Sequence, residues 1–185
     1  MKKLLLSLLL FSSMSFADSS NCGNWLSWLQ PICTRVTQIW TEGNNEAYFS
    51  GYAWHNRFTY SKAKIKSYNE LAWGGGLGKG FYDEDGDWHG LYVLAFLDSH
   101  KKVEPSVGYA FQKIAHISDN LRLGLGYTFI VTSRSDILNN IPFPGVLPWI
   151  SLNYEKVTLG ATYIPGAKGA GNVLYILGKW TFDLL

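Results

Sequence analysis

The chain has 185 residues, 47% hydrophobic and 16% aromatic content and 19 glycines, enough for one domain with a sizeable core. Its formal net charge is +2, and the first 17 residues hold two lysines and no acid, leaving 14 basic against 14 acidic residues beyond them. That balance excludes a basic nucleic-acid-binding face, and the aromatic and glycine content favours strands over helices.

Residues 1–17 read as a cleaved signal peptide. Lys2 and Lys3 precede an apolar run from Leu4 to Phe11, and Ser15-Phe16-Ala17 supplies the small residues of a cleavage site. No lipoprotein-type pattern precedes Cys22. An exported chain permits Cys22 and Cys33 to pair. In one straight helix their Cα atoms would stand roughly 16 Å apart, too far for a disulfide, whereas Gly23 and Pro31 allow a bend, so pairing stays open. Two cysteines alone do not make a metal site, and no metal or cofactor is expected.

Residues 18–46 form an N-terminal helix and its connection. Trp25, Leu26, Trp28, Leu29, Ile32, Val36, Ile39 and Trp40 make a broad helical apolar stripe, interrupted by Pro31. Such a helix suits a membrane interface; a helix plugging a barrel is the alternative.

No later apolar run is long enough for a transmembrane helix. A closed barrel is the other way to cross a bilayer with every backbone group paired. Residues 47–185 offer eight segments for it: 47–60, 68–82, 87–98, 103–113, 121–132, 145–154, 156–164 and 172–182. The expected fold is all-β, an eight-stranded antiparallel transmembrane β-barrel with an N-terminal amphipathic α-helix. Asp85-Gly86 in "YDEDGDWHG" marks a tight hairpin, and "YEKV" is another short turn. The longer connections "SKAKIKSYNE", "SHKKVE", "TSRSDILNNIPF" and "PGAKGAGN" then share the opposite rim.

Alternation assigns the faces. From Leu121 to Val131 the bulky apolar residues Leu123, Leu125, Tyr127 and Phe129 should meet lipid, while Gly124, Gly126 and Thr128 point inward. The same rule turns Ala72, Gly74, Gly76, Gly78 and Gly80 inward, and likewise Ser106, Gly108, Ala110 and Gln112, then Thr158, Gly160 and Thr162. Eight strands leave an interior just wide enough for side chains, so a lumen of small residues should keep a cavity. The third strand is apolar on both faces, which favours a dry pocket. The run "WGGGLGKG" lacks the spacing and Ser/Thr of a phosphate loop; its glycines give room and curvature. Pro142, Pro144, Pro148 and Pro165 crowd the sixth and seventh strands, where missing N–H donors either punctuate strand ends or open a lateral doorway.

These motifs, "YAWHNRFTY", "YNELAWGGGLG", "DWHGLYVLAFLDS", "EPSVGYAF", "LRLGLGYTF", "IPFPGVLP", "TYIPG" and "GNVLY", together resemble the lipid A palmitoyltransferase family, PagP, over nearly the whole chain beyond the signal. The resemblance implies a monomeric outer-membrane enzyme of Gram-negative bacteria that moves a palmitoyl chain from the sn-1 position of a phospholipid to a hydroxyl on an acyl chain of lipid A in lipopolysaccharide. It places catalytic roles on His55, Asp98 and Ser99, and lateral gates among the four prolines. Acyl transfer needs a proton acceptor, a group that orients it, and donors for an oxyanion, and these residue types meet those needs, with Asp98 able to orient His55. His100, next to Ser99, is a competing base; His89 and His116 read as structural or solvent-facing. Lys62, Lys64, Lys66, Lys101, Lys102 and Arg134 in the outer loops are candidate ligands for lipid A phosphates. The family's "GYG" reads Gly108-Tyr109-Ala110 here, so with Gly108, Gly76, Gly78, Gly124 and Gly126, Ala110 is expected to bound the acyl pocket and to affect chain length. A non-enzymatic lipid-binding barrel, or an adhesin or resistance barrel, is the alternative.

Overall fold

The structure, a computed structural model, describes residues 19–167 and 171–182; the predicted signal peptide and Lys168 lie outside them. Eight antiparallel strands close on themselves in chain order: β1 (Asn44–His55), β2 (Gly74–Tyr82), β3 (Trp88–Leu97), β4 (Val103–His116), β5 (Leu121–Thr132), β6 (Phe143–Tyr154), β7 (Val157–Ile164) and β8 (Val173–Phe182). Closure pairs β8 with β1 and removes both sheet edges.

Period-two patterning sets the faces as expected. Leu77, Val93, Leu125 and Val146 are each more than 60% exposed on the outside, whereas Ser106, Ala110, Gln112, Thr128, Thr158 and Thr162 are buried within. With every strand paired to its neighbours and an apolar exterior, the barrel can reside in a bilayer at little cost. Short turns close one end, including Asp83–Asp87, where Gly86 adopts a left-handed φ of 80° and Asp83 Oδ1 accepts the N–H groups of Asp85 and Asp87. Long loops crowd the other rim.

Two boundaries differ most from the sequence expectation. β1 stops at His55 rather than 60, and β2 starts at Gly74 rather than 68. The intervening loop turns at once, because Asn56 Oδ1 accepts the N–H of Phe58, and then forms the short helix α2 (Lys62–Ser67), capped by Ser61. β6 begins at Phe143 despite Pro144 and Pro148. It pairs with β5 throughout but with β7 only from Trp149 onward, so these prolines lie where the strand has one neighbour.

The N-terminal helix α1 (Gln30–Glu42) starts later than its apolar stripe. Pro31 sits in its first turn, where a missing N–H costs nothing, and so opens the helix instead of interrupting it. α1 lies outside the barrel on β2 and β3 and is not a plug. Ile39 is fully buried, Arg35 stacks over Phe81 and faces Asp83 at 3.6 Å, and Lys79 donates to the Trp40 carbonyl at 2.7 Å. Trp25, Trp28 and Ile32 stay exposed, as an interfacial anchor requires.

The cysteines pair. Residues 19–24 form a 3₁₀ turn that folds back on α1, bringing the Cα atoms of Cys22 and Cys33 to 5.7 Å. Because this bond ties only the segment preceding β1, its reduction is expected to speed proteolytic clipping before Gln30 while the barrel keeps its folded gel mobility. Limited proteolysis with and without reductant checks this; loss of the folded band on reduction would contradict it.

The interior has two halves. Near α1 it is filled: Lys179 pairs with Glu46, which also accepts from Tyr48 (2.7 Å) and Trp88 (3.2 Å), and Gln112, Ser151, Asn153 and Thr158 form a hydrogen-bonded chain. Above this layer Tyr48, Tyr92 and Trp149 span the lumen. The inward glycines therefore do not all leave empty space. A Cβ at Gly108 would collide with the Tyr92 ring, and one at Gly126 with the backbone of β4. Large side chains projecting across the barrel occupy room that small ones leave.

Candidate active site

His55 is the last residue of β1 and Ser99 lies two residues beyond β3, so antiparallel pairing brings both to the long-loop rim. His55 Nε2 is 2.9 Å from Ser99 Oγ, and the ring is 1% exposed. Tyr68 lies against it at 4.8 Å and Tyr60 meets it edge-on at 5.5 Å; Tyr60 is held by its hydroxyl donating to the Gly171 carbonyl at 2.5 Å.

Behind the imidazole stands Glu70. Its Oε1 is 3.2 Å from His55 Nδ1 and accepts the His55 backbone N–H at 3.1 Å. Arg57 forks onto the same carboxylate at 2.6 and 2.6 Å, and the Tyr52 hydroxyl donates to Oε2 at 3.1 Å. These donors, Arg57 foremost, hold the Glu70 carboxyl down at about 2. Glu70 also patches the barrel wall. Above Ser50, β1 has no β2 partner, and the Glu70 carbonyl takes the Ala53 N–H at 2.9 Å.

Asp98 does not contact His55. Its Oδ1 accepts the backbone N–H groups of His100 and Lys102, each at 2.8 Å, so this buried carboxylate shapes the turn that carries Ser99. Asn69 fastens the turn from the other side, donating its N–H to the Ser99 carbonyl at 2.8 Å. The carboxylate that faces the imidazole is thus that of Glu70, placed there by the strand-to-loop geometry, while that of Asp98 faces its own turn. Glu70 and Asn69 lie in "YNELAWGGGLG" just before the glycine run, and no spacing in the sequence ties Glu70 to His55.

His100 faces away from the pair. Its Nδ1 is 3.6 Å from Asp136 and 4.0 Å from Asp98. Asp98, His100 and Asp136 could each offer a metal ligand atom within 4.8 Å of one another. Arg134 already forks onto Asp136 at 3.0 and 2.9 Å and reaches Glu104 at 3.2 Å, and it lowers the Asp136 carboxyl, so the cluster reads as an ion-pair network. Arg134 is in that way committed to two carboxylates and is a poor free ligand for phosphate. Lys62, Lys64, Lys66, Lys101 and Lys102 are exposed around the mouth, the first three on α2.

The mouth is lined by His55, Tyr60, Tyr68, Asp98, Ser99 and His100, and opens past Phe96, Ile137, Phe143, Ile164 and Tyr175 into an apolar cavity. That cavity runs between Leu94, Ile130, Leu147 and Leu177 and ends on Tyr48, Tyr92 and Trp149. Ala110, Gly108, Gly76, Gly78, Gly124 and Gly126 are not among its lining residues. Ala110 is fully buried, one inward position nearer α1 than Gly108, whose space Tyr92 fills. The wall has two places where neighbouring strands part: between β1 and β2 beyond Ser50, and between β6 and β7 before Trp149. Pro144 and Pro148 border the second, with Pro142 just before β6 and Pro165 just after β7.

This arrangement has the parts that acyl transfer needs: a hydroxyl-bearing residue beside an oriented imidazole, at the mouth of an apolar compartment. Residues 35–179 match the family model described as "Antimicrobial peptide resistance and lipid A acylation protein PagP". The chain is 60% identical over 168 residues to the lipid A acyltransferase PagP of Legionella pneumophila, covering 91% of this chain and 90% of the relative. It is 57% identical over 178 residues to that of Bordetella pertussis strain Tohama I (93% and 98%), and 55% identical over 174 residues to that of Legionella longbeachae (93% and 75%).

Proposed function

Since the chain belongs to the PagP family of lipid A acylation proteins, we propose that it is an outer-membrane acyltransferase that moves a palmitoyl chain from the sn-1 position of a phospholipid to a hydroxyl of lipid A. The observation that carries the reading is the 2.9 Å contact between His55 Nε2 and Ser99 Oγ at the mouth of an apolar barrel cavity.

The residues divide the work as follows. The donor chain enters the cavity with its ester at the mouth. His55 Nε2 takes the proton of the attacking hydroxyl, whose oxygen bonds to the ester carbonyl carbon. The bond from that carbon to the glycerol oxygen then breaks, and the proton on His55 passes to that oxygen, releasing a lysophospholipid. The Ser99 hydroxyl and the turn that Asp98 shapes sit beside the carbonyl, where donors stabilise developing oxyanion charge. The apolar wall keeps water from competing for the acyl group. The parting of β6 from β7, bordered by Pro144 and Pro148, and that of β1 from β2 supply routes by which lipid tails reach the lumen from the bilayer.

Mass spectrometry of lipid A from cells with and without the protein tests the proposal: one added palmitoyl chain supports it, and no mass change under any envelope condition overturns it. A second expectation concerns the acceptor. Lys62, Lys64 and Lys66 present three exposed positive charges on one loop helix. Replacing all three with glutamine should lower transfer to lipopolysaccharide several-fold, roughly threefold to tenfold, at low divalent cation. Assay across magnesium concentrations checks this, and equal rates throughout would remove the lysines from acceptor binding.

A further inference from the structure

We infer that Glu70, not Asp98, is the carboxylate that positions and charges His55, while Asp98 acts by shaping the turn that presents Ser99. The inference rests on the acyl-transfer reading above. It begins from contacts: Glu70 Oε1 lies 3.2 Å from His55 Nδ1, the nitrogen opposite the one facing Ser99. A carboxylate there selects the tautomer with the proton on Nδ1, which leaves Nε2 free to accept one, and it stabilises the imidazolium once Nε2 has done so.

The second observation is that Glu70 is itself held. Both of its oxygens are fixed by the Arg57 fork, and Oε1 also bonds the backbone N–H of His55. A carboxylate so restrained costs little reorganisation when charge develops on its neighbour. It remains ionised far below neutrality, so an acid limb in the rate profile reports the imidazole and not this group.

The third observation is that Asp98 is occupied elsewhere. Its Oδ1 is taken by two backbone N–H groups, and its Oδ2 is 4.0 Å from His100 Nδ1. The groups facing His55 are therefore Glu70, Arg57 (whose guanidinium donates to the His55 carbonyl at 3.0 Å), Ser99, and the rings of Tyr60 and Tyr68. Lys64 stands over those two rings at 5.6 and 5.9 Å, and His100 meets Tyr68 edge-on at 5.5 Å.

Two roles for Glu70 are separable. If it only staples the loop to β1, Glu70→Gln, which keeps an amide oxygen for the staple, leaves His55 chemically unchanged. If it charges His55, that variant lowers kcat on the order of 10²-fold with KM for the donor little changed. It also moves the acid limb, and the His55 ring titration followed by NMR in detergent micelles, down by about one pH unit. Arg57→Gln removes the opposing charge and should move the titration up; the fall in Glu70→Gln is the sign that general loosening, which would hydrate the buried ring, would not produce. Asp98→Asn keeps an Oδ1 acceptor for both backbone N–H groups and should leave the His55 titration in place. Wild-type kcat and titration in Glu70→Gln, or a displaced titration in Asp98→Asn, overturns the inference. The ring titration is read without substrate, so it stands even if lipid A gains no acyl chain, the result that would defeat the acyl-transfer reading instead. Heat-modifiable gel mobility confirms that each variant is folded, and Arg57→Gln carries the test if Glu70→Gln is not.

Discussion

Lipid A from cells expressing the His55→Ala variant is expected to lack the added acyl chain, with transfer by the purified protein reduced at least about 10³-fold. His55 is the one imidazole at the mouth that faces Ser99 Oγ; His100 points to Asp136, so it cannot take over without moving the 98–102 turn. The barrel should survive, because His55 ends β1 and its backbone bonds to Glu70 and to β8 do not need the ring. The Ser99→Ala variant should lose activity to a similar extent. Retention of a lipid-binding signal, such as displacement of a fluorescent fatty acid, would separate lost chemistry from a lost cavity. Full activity in His55→Ala would remove His55 from the chemistry and place the base on another group at the mouth.

The second large effect is expected at the cavity floor. Trp149 is buried, packs edge-on against Trp88 at 5.8 Å and Tyr92 at 5.9 Å, and closes the apolar cavity toward α1. Its indole N–H has no hydrogen-bond partner among the described residues, so truncation leaves no polar group stranded. Trp149→Ala should cost about 3–5 kcal/mol of stability. In donor competition with chains of graded length it should also shift preference toward longer chains, since the vacated volume continues the apolar cavity. Ala110→Gly, by contrast, removes a methyl outside the cavity lining and should change the length profile little. An unchanged profile in Trp149→Ala would move the floor elsewhere, and a large change in Ala110→Gly would restore Ala110 as the ruler.

Much of the architecture was legible from residue order because a strand has a period of two and a bilayer faces one side of it. Leu123, Leu125, Tyr127 and Phe129 alternate with Gly124, Gly126 and Thr128, and each lies on its expected face. The meeting of His55 with Ser99 followed from strand direction, since the ends of β1 and β3 share a rim in any antiparallel barrel. Pairing of the cysteines was left open by the sequence, because it depended on whether Gly23 through Leu29 bends back, which local pattern does not decide.

What residue order determined by itself was the barrel, its two faces, and the rim where His55 and Ser99 meet, all consequences of local periodicity and turn chemistry. What only the tertiary structure decided was which carboxylate stands behind His55 and how much of the lumen is open. Glu70 sits in a loop without periodicity, and it reaches His55 because β1 runs past the start of β2 unpaired. The lumen narrows because Tyr48, Tyr92 and Trp149 project from three different strands into space that glycines on other strands leave. Both depend on distances across the barrel, which no single strand's pattern encodes.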